Sequence, residues 1–334
     1  QDHQAVAQID DRDDGHGMSS SVFVGEYLSG GGLGAAPGEA DRALLAQGLA
    51  MRDALLADLQ RCEGLAISLA LGPGVAVPAG VATVAPRPGE TMLDLVRREA
   101  NAHDLAWIVA PETGGLLLAC AEAVEPARWL GCRPDAIRLC SSKRATLERL
   151  AGHGLATPLA CAAAARRWVV KPDDGAGGVD TRVHRERAAA EADLAARRAR
   201  GAPAVLEPWV EGRALSLSML CRAGETELLS VNRQHVEVGV DGAVVYRGVD
   251  IDSLGRGLTE AGALSSTART IGRAIRGLRG YVGVDLVWHA DHGPVVIEVN
   301  PRPTCAYVGL SAALGRNLAA EVIAAQREAQ RAAA

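Results

Sequence analysis

The sequence is poor in aromatic residues and lacks the cysteine and histidine patterns of metal sites. Its 334 residues include one phenylalanine, four tyrosines and five tryptophans. The seven cysteines are scattered without a CxxC pair, and the eight histidines show no HxxxH or HExxH spacing. Neither a disulfide framework nor a zinc site is indicated, so we expect buried, reduced thiols.

Long apolar runs and an excess of basic residues are missing as well. No run approaches the roughly 18 residues that a membrane helix needs, and no charged and then apolar leader opens the chain. The formal net charge is −5, and residues 1–17, with five aspartates and one arginine, contribute −4 of it. Nucleic acid is an unexpected partner, because phosphate binding normally leaves a basic surface. These absences favour a cytoplasmic protein without a membrane partner.

The length suggests about two domains, and the pattern of strands and helices changes near residue 135. Residues 1–17 are polar and acidic, and we interpret them as a disordered leader, an alternative start or a cloning remnant. In residues 18–135, apolar strands alternate with helices, which predicts a parallel α/β layer. Later strands are short and follow one another, with a hairpin turn at Asp241-Gly242, which predicts a largely antiparallel α+β unit. The predicted fold class is therefore α/β and α+β.

Two strands near the end of the chain carry polar side chains on one face. Glu298 and Asn300 share that face, because side chains alternate along a strand. If the turn at Ala290–Gly293 is a symmetric two- or four-residue loop, Asp285 on the preceding strand lies directly opposite Glu298. The sequence thus predicts two facing carboxylates beside an amide.

The facing carboxylates predict a divalent cation. Like charges on paired strands destabilise a sheet unless something neutral or positive lies between them. Two carboxylates and an amide are hard oxygen ligands that suit Mg²⁺, with Mn²⁺ as a substitute. The alternative is that Asp285 and Glu298 each pair with an arginine, such as Arg302 or Arg279.

A second group of residues favours the cation. Lys171 ends an apolar strand, and Gly175, Gly177 and Gly178 follow it in a loop whose N–H groups can approach an anion closely. The lysine precedes the glycines, so the segment is neither a Walker loop nor a GxGxxG motif. A lysine, a glycine loop and a carboxylate pair together indicate a nucleoside triphosphate site.

In order and spacing, residues 141–302 resemble the ATP-grasp superfamily. The resemblance implies an ATP-grasp fold preceded by a Rossmann-like domain at 18–135, with a small lobe and glycine-rich flap at 136–212 and a C-terminal lobe with the Mg²⁺ site at 213–334. The ATP-binding residues that it implies are Lys143, Lys171, Asp174, Gly175, Gly177, Gly178, Glu207, Trp209, Val210 and Glu211. The implied metal ligands are Asp285, Glu298 and Asn300, and the implied catalytic residues are Arg302 and Lys171.

One position departs from the family pattern. The stretch LEPWV resembles the family's hinge, in which Glu207 would meet the adenine amino group and the backbone around Trp209 and Val210 the ring edge. Many relatives carry a glutamate for the ribose hydroxyls seven residues after the hinge glutamate, and this chain has Ala214 there. Either Glu211 or a looser contact would then serve the ribose.

The resemblance also implies a reaction. A substrate carboxylate attacks the γ-phosphate of ATP, and an amine displaces phosphate from the acyl phosphate, while the flap excludes water from that intermediate. The stretches GEYLSGGG, SVNRQHVEV and VNPRPTCAYVGLS are similar to the tyramine:glutamate ligases of methanofuran biosynthesis and their bacterial counterparts. That likeness implies that the side-chain carboxylate of glutamate is joined to tyramine or tyrosine.

Four residues are candidates for binding the amino acid and the amine. Glu26 and Glu112 follow strands at their carboxyl ends, where open α/β sheets place ligands. Arg233 could hold a carboxylate through two hydrogen bonds, with His235 beside it. Solvated loops and an ordinary surface strand explain these four residues as well.

Two other functions stay open at this point. A ligase for a different amino acid or peptide would keep every nucleotide-binding residue. A regulatory module that binds ATP without turnover would have a broken set of metal ligands. The expected partners are small molecules, and a homodimer is a further possibility.

Overall fold

The structure is a computed structural model that describes residues 20–33, 39–251 and 260–333. The predicted leader at 1–17 lies outside these residues. The described chain contains three sheets, and each falls within one of the predicted ranges 18–135, 136–212 and 213–334. No helix in the described ranges is long and apolar enough to cross a bilayer.

The first sheet is parallel, with the order β3-β2-β1-β4. Its elements are β1 (Ser20–Glu26), α1 (Glu39–Leu59), β2 (Leu65–Ala70), β3 (Ala82–Val84), α2 (Met92–Ala102), β4 (Leu105–Val109) and α3 (Leu116–Ala123). Every residue of β4 is buried, which is typical of a parallel strand covered on both faces. The carboxyl ends of β1 and β4 face the rest of the molecule and carry Glu26 and Glu112.

The second sheet is small and antiparallel, with the order β6-β5-β7. Its elements are α4 (Pro134–Cys140), α5 (Lys143–Ala151), β5 (Trp168–Pro172), β6 (Arg182–His184), α6 (Arg187–Ala199) and β7 (Ala204–Pro208). Ser142 caps α5, since its hydroxyl oxygen accepts a hydrogen bond from the N–H of Ala145 at 3.1 Å. This cap fixes where the helix begins.

The third sheet is antiparallel, with the order β10-β9-β8-β11-β12. Its elements are β8 (Arg213–Arg222), β9 (Glu225–Val238), β10 (Val244–Asp250), α7 (Ala261–Ala274), β11 (Gly280–His289), β12 (Gly293–Asn300), α8 (Leu310–Leu314) and α9 (Leu318–Ala333). Alternate β8 residues Leu215, Leu217 and Met219 are fully buried and form one apolar core with α7. The chain after Gly309 forms two helices rather than one, because Gly315 ends α8 in the left-handed conformation.

The β11–β12 hairpin has the predicted pairing but not the predicted turn. His289 pairs with Gly293, so the loop has three residues rather than two or four. That loop alone would place Asp285 opposite Ile297. A β-bulge lies between the pairs Leu286–Val296 and Asp285–Glu298, and Ile297 of β12 is its extra residue. Asp285 therefore lies opposite Glu298.

Candidate functional site

Three ion pairs lie where the three sheets meet. The nitrogen-to-oxygen distances are 2.8 Å for Lys143–Glu298, 2.9 Å for Lys171–Glu207 and 2.9 Å for Arg302–Glu112. No side chain among the six is more than 18% exposed. We call these six residues the ion-pair cluster. Electrostatic interactions also run between the pairs, since Glu112 and Glu207 both act on Lys143, and Glu298 acts on Arg302.

Lys143 is held at the first turn of α5. Asp173, which follows β5, anchors this turn by accepting hydrogen bonds from the Ser142 hydroxyl at 2.8 Å and the Arg144 N–H at 3.0 Å. Burial alone would lower the pKa of Lys143, but the neighbouring Glu298 carboxylate outweighs burial, and the pKa is raised. The ammonium group is therefore charged at neutral pH. The sequence analysis missed Asp173, although it stands immediately before the predicted Asp174.

Lys171 and Glu207 belong to neighbouring strands of the small lobe. Lys171 on β5 pairs with Val205, and Glu207 lies two residues further along β7, so both side chains are on one face. The resemblance assigns the Glu207 carboxylate to the adenine amino group. In the structure this carboxylate contacts the Lys171 ammonium.

Lys143 and Lys171 are the only lysines in a chain with 35 lysine and arginine residues. The structure buries both of them in the same cluster. Lysine is a compact charge on a flexible stem that suits phosphate binding, whereas arginine is a rigid planar fork. The rarity of lysine was a compositional signal for the site that the sequence analysis did not use.

The predicted metal ligands lie together on β11 and β12. Asp285 accepts hydrogen bonds from the amide groups of Gln234 at 2.8 Å and Asn300 at 3.2 Å. Within the residues that the structure describes, Asp285 has no ion pair, whereas Glu298 pairs with Lys143. Burial, followed by repulsion from Glu298, raises the pKa of Asp285 to about 6.

This donor set fits a divalent cation. The alternative to a metal was an arginine partner for each carboxylate. Among the described residues, Glu298 forms its ion pair with a lysine instead. Asp285 accepts hydrogen bonds from two neutral amides, and the charge of Arg302 acts on it without an ion pair. A cation at Asp285 would relieve both the burial of its charge and the repulsion from Glu298. No cluster of three or more His, Cys, Asp or Glu side chains able to hold a metal occurs in the described part of the chain. The residues that would hold the cation are therefore the carboxylates of Asp285 and Glu298 and the amide of Asn300.

The glycine-rich flap contacts α5 of its own lobe and the N-terminal domain. Lys143 Nζ donates to the Gly175 carbonyl at 2.5 Å, and the Asp174 carboxylate accepts from the Gly114 N–H at 2.9 Å. Gly177 has a φ of +66°, and a Cβ there would lie 2.8 Å from Leu44. The left-handed backbone conformation therefore favours glycine at this position.

The hinge residues are held by the small lobe. The Trp209 N–H donates to the Arg167 carbonyl at 3.0 Å, and the Arg167 guanidinium lies 5.4 Å from the centre of the Trp209 ring. The Glu211 carboxylate makes two-pronged contacts with that guanidinium at 2.7 and 2.9 Å. Val210 is buried, and Ala214 pairs with the β11 backbone. Glu211 is thus already paired with an arginine.

The four candidate substrate-binding residues do not all lie together. Glu112 is in the ion-pair cluster, and the Glu26 carboxylate accepts the N–H of Ser29 at 2.8 Å at the end of β1. Arg233 and His235 are exposed and lie on the face of β9 opposite to Gln234. The cluster side of β9 therefore carries Gln234, which the sequence analysis passed over although it lies between the two named residues.

Comparison with known proteins follows the same division of the chain. The ATP-grasp domain family matches residues 140–306, half of the chain, and the pre ATP-grasp 3 domain family matches residues 65–137. The chain therefore belongs to the ATP-grasp family. This confirms the predicted fold class, with an ATP-grasp fold preceded by a parallel N-terminal domain.

The chain is also similar to particular proteins. Tyramine–L-glutamate ligase from Methanocaldococcus jannaschii is 27% identical over 213 residues, which are 62% of this chain and 58% of that protein. The alignment thus spans less than two thirds of the relative. An ATP-grasp superfamily protein from Archaeoglobus fulgidus has a TM-score of 0.66 at 20% identity, with 92% of this chain and 88% of that one covered. D-alanine–D-alanine ligase from Bacillus anthracis, solved with ATP, has a TM-score of 0.63 at 15% identity, covering 94% and 100%. The two structures show the likeness of fold.

Proposed function

We propose that the protein is an ATP-dependent ligase that joins a carboxylate to an amine, with ADP and phosphate as the other products. The observation that carries the proposal is the ion-pair cluster beside the Asp285 carboxylate, which accepts hydrogen bonds from the amides of Gln234 and Asn300. The buried Lys143 and Lys171 and the largely buried Arg302 converge there from three parts of the chain. Binding a polyphosphate requires several positive charges close together. Cations that served only to stabilise the fold would not need to lie beside Asp285.

The cluster's own carboxylates hold its cations in position until the nucleotide binds. Removing two charges from water to form a buried ion pair costs free energy. The lysines of the cluster have already lost that hydration, so exchanging a carboxylate for a phosphate oxygen costs them little more. Lys143 and Lys171 would turn from Glu298 and Glu207 to the phosphate oxygens. Asp285, Glu298 and Asn300 would hold Mg²⁺ or Mn²⁺, which neutralises charge on the β- and γ-phosphates when bound.

The reaction then has two steps. A carboxylate oxygen of the donor substrate attacks the γ-phosphorus, the bond to the bridging oxygen breaks, and ADP leaves. The amine nitrogen attacks the acyl carbon, phosphate leaves with the electrons of the C–O bond, and one proton of the amine ends on the released phosphate. Arg302 would balance negative charge on the transferring phosphoryl group in the first step. The flap, docked on Gly114 and Lys143, would keep water from the acyl phosphate.

For the substrates we propose glutamate, activated at its side-chain carboxylate, and tyramine or tyrosine as the amine. The similarity to tyramine–L-glutamate ligase supports this choice. The product would belong to the biosynthesis of a methanofuran-type cofactor.

The test is release of ADP by purified protein with Mg²⁺, ATP and glutamate, adding tyramine, tyrosine and other amines in turn. We expect ADP and an amide product with tyramine or tyrosine, and neither with Asp285→Asn. ADP with a different amine would keep the ligase and discard the substrates. Tight ATP binding without ADP under any condition would leave a regulatory module.

A further inference from the structure

The pair between Arg302 and Glu112 joins two domains inside the cluster. Glu112 follows β4 of the parallel sheet, and Arg302 follows β12 of the C-terminal sheet. Arg302 Nε donates to one Glu112 oxygen at 3.0 Å and Nη2 donates to the other at 2.9 Å. Glu112 is 3% exposed. Such a two-pronged pair fixes the plane of the guanidinium group as well as its position.

The remaining donors of Arg302 stay available. A guanidinium group has five N–H donors. Two go to Glu112, and one on Nη1 donates to the Pro303 carbonyl at 3.2 Å. One N–H on Nη1 and one on Nη2 are left over, and no hydrogen bond within the described chain uses them. Glu112 therefore occupies one edge of the guanidinium group and leaves two N–H donors for a second acceptor.

The segment that carries Glu112 is itself fixed. Gly114 and Gly115 both have positive φ, at +62° and +72°, and the Gly115 N–H donates to the Glu112 carbonyl at 3.0 Å. The same tight turn contacts the flap, because the Gly114 N–H donates to the Asp174 carboxylate. One turn of the N-terminal domain thus holds both the flap and Arg302.

We propose that Glu112 is a positioning residue for the phosphoryl-transfer step: it holds Arg302 so that the free N–H groups meet the transferring phosphoryl group. The N-terminal domain is then part of the catalytic apparatus rather than only a substrate-binding module. The proposal rests on the proposed function. It differs from the expectation that Glu112 binds a substrate amine, because the carboxylate is already engaged by Arg302.

The test compares Glu112→Gln with the wild-type protein and with Glu321→Gln. Glu321 also pairs with arginines, but at the distant contact of α9 with β8 and β9. Because an outer partner of a binding residue is commonly worth about 10- to 100-fold, we expect kcat to fall about tenfold or more in Glu112→Gln. The KM for ATP should stay within about twofold, because ground-state binding is unchanged. Glu321→Gln should leave both parameters unchanged.

The decisive measurement places Glu112→Gln in an Arg302→Lys background. If Glu112 acts through Arg302, the second substitution adds no further loss, because coupled residues are not additive. Independent, additive losses would overturn the proposal. A raised KM for the amino acid or the amine with unchanged kcat would also overturn it, and would make Glu112 a substrate ligand.

A second readout separates this proposal from the proposed function. Aluminium fluoride with ADP and Mg²⁺ mimics the transferring phosphoryl group and requires no amine or turnover. We expect Glu112→Gln to weaken binding of this complex about tenfold or more while binding of ADP alone is unchanged. Equal binding of the complex by both proteins would refute the role of Glu112 even if the ligase substrates prove different.

Discussion

Replacing Asp285 by asparagine should stabilise the metal-free protein and abolish its activity. The pKa of Asp285 is raised from 3.8 to about 6 by burial and by Glu298, and about two pKa units correspond to ~3 kcal/mol of unfavourable free energy for the charged form. Asparagine can accept from only one of the two amide donors, Gln234 and Asn300, which costs ~1 kcal/mol. The net gain is ~2 kcal/mol, or about 3 °C in Tm for a chain of this length.

The gain has a defined pH dependence. Above pH 6 Asp285 is charged in both the folded and the unfolded chain, so the full penalty applies and its removal gives the full gain. Between pH 6 and about pH 4 the folded protein retains the proton that the unfolded chain releases, and the gain shrinks. Below about pH 4 both states are protonated, so the gain from removing the charge is lost and only the cost of the hydrogen bond is left.

The assay is thermal unfolding in buffer treated with a metal chelator, at pH 7.5 and pH 4. Asp241→Asn serves as the control, because Asp241 lies in the β9–β10 turn with a side chain 58% exposed, and its Tm should not change. A lower Tm for Asp285→Asn at pH 7.5, or the same gain at both pH values, would refute the reasoning.

Four other substitutions test separate parts of the site. Lys143→Met leaves Glu298 without its cation and should lower the free energy of unfolding by ~3 kcal/mol. Added Mg²⁺ should restore part of the lost Tm in Lys143→Met and none of it in Lys171→Met. Equal recovery in both variants would contradict the metal assignment. Asp174→Ala removes an acceptor from the docked flap, so deuterium exchange in residues 173–180 should accelerate, and unchanged exchange would show that this contact does not hold the flap. Glu211→Ala should change the KM for ATP by no more than about twofold, because Glu211 is already paired with Arg167. An increase of about tenfold would show that Glu211 binds the ribose hydroxyls.

The strands that define the fold could be predicted because their apolar character is strong and local. The hairpin turn at Asp241-Gly242 and the buried strand β4 are examples. The three-residue strands β3 and β6 could not, because three residues carry no period. Helix α6 buries only Ala190. Helix α2 was overlooked despite a capping box formed by Thr91 and Asp94, so in that case the signal was present in the sequence.

The site was predictable where one segment carried it. The pairing of Asp285 with Glu298 was predicted from a symmetric loop, but in the structure the pairing depends on a bulge that no residue pattern announced. The partners of the charged groups were not predicted, because Lys143 and Glu298 are 155 positions apart and meet only through packing of α5 on β12. The same holds for Glu112 and Arg302, which are separated by 190 positions.

The origin of the oxygen in released phosphate tests the central claim most directly. Glutamate labelled with ¹⁸O in its side-chain carboxylate would be incubated with ATP, Mg²⁺ and the active amine, and the phosphate analysed by mass spectrometry. Transfer through an acyl phosphate predicts one ¹⁸O atom in each phosphate and the loss of one from the amide product. Unlabelled phosphate, with both labelled oxygens still on glutamate, would contradict activation of that carboxylate by ATP.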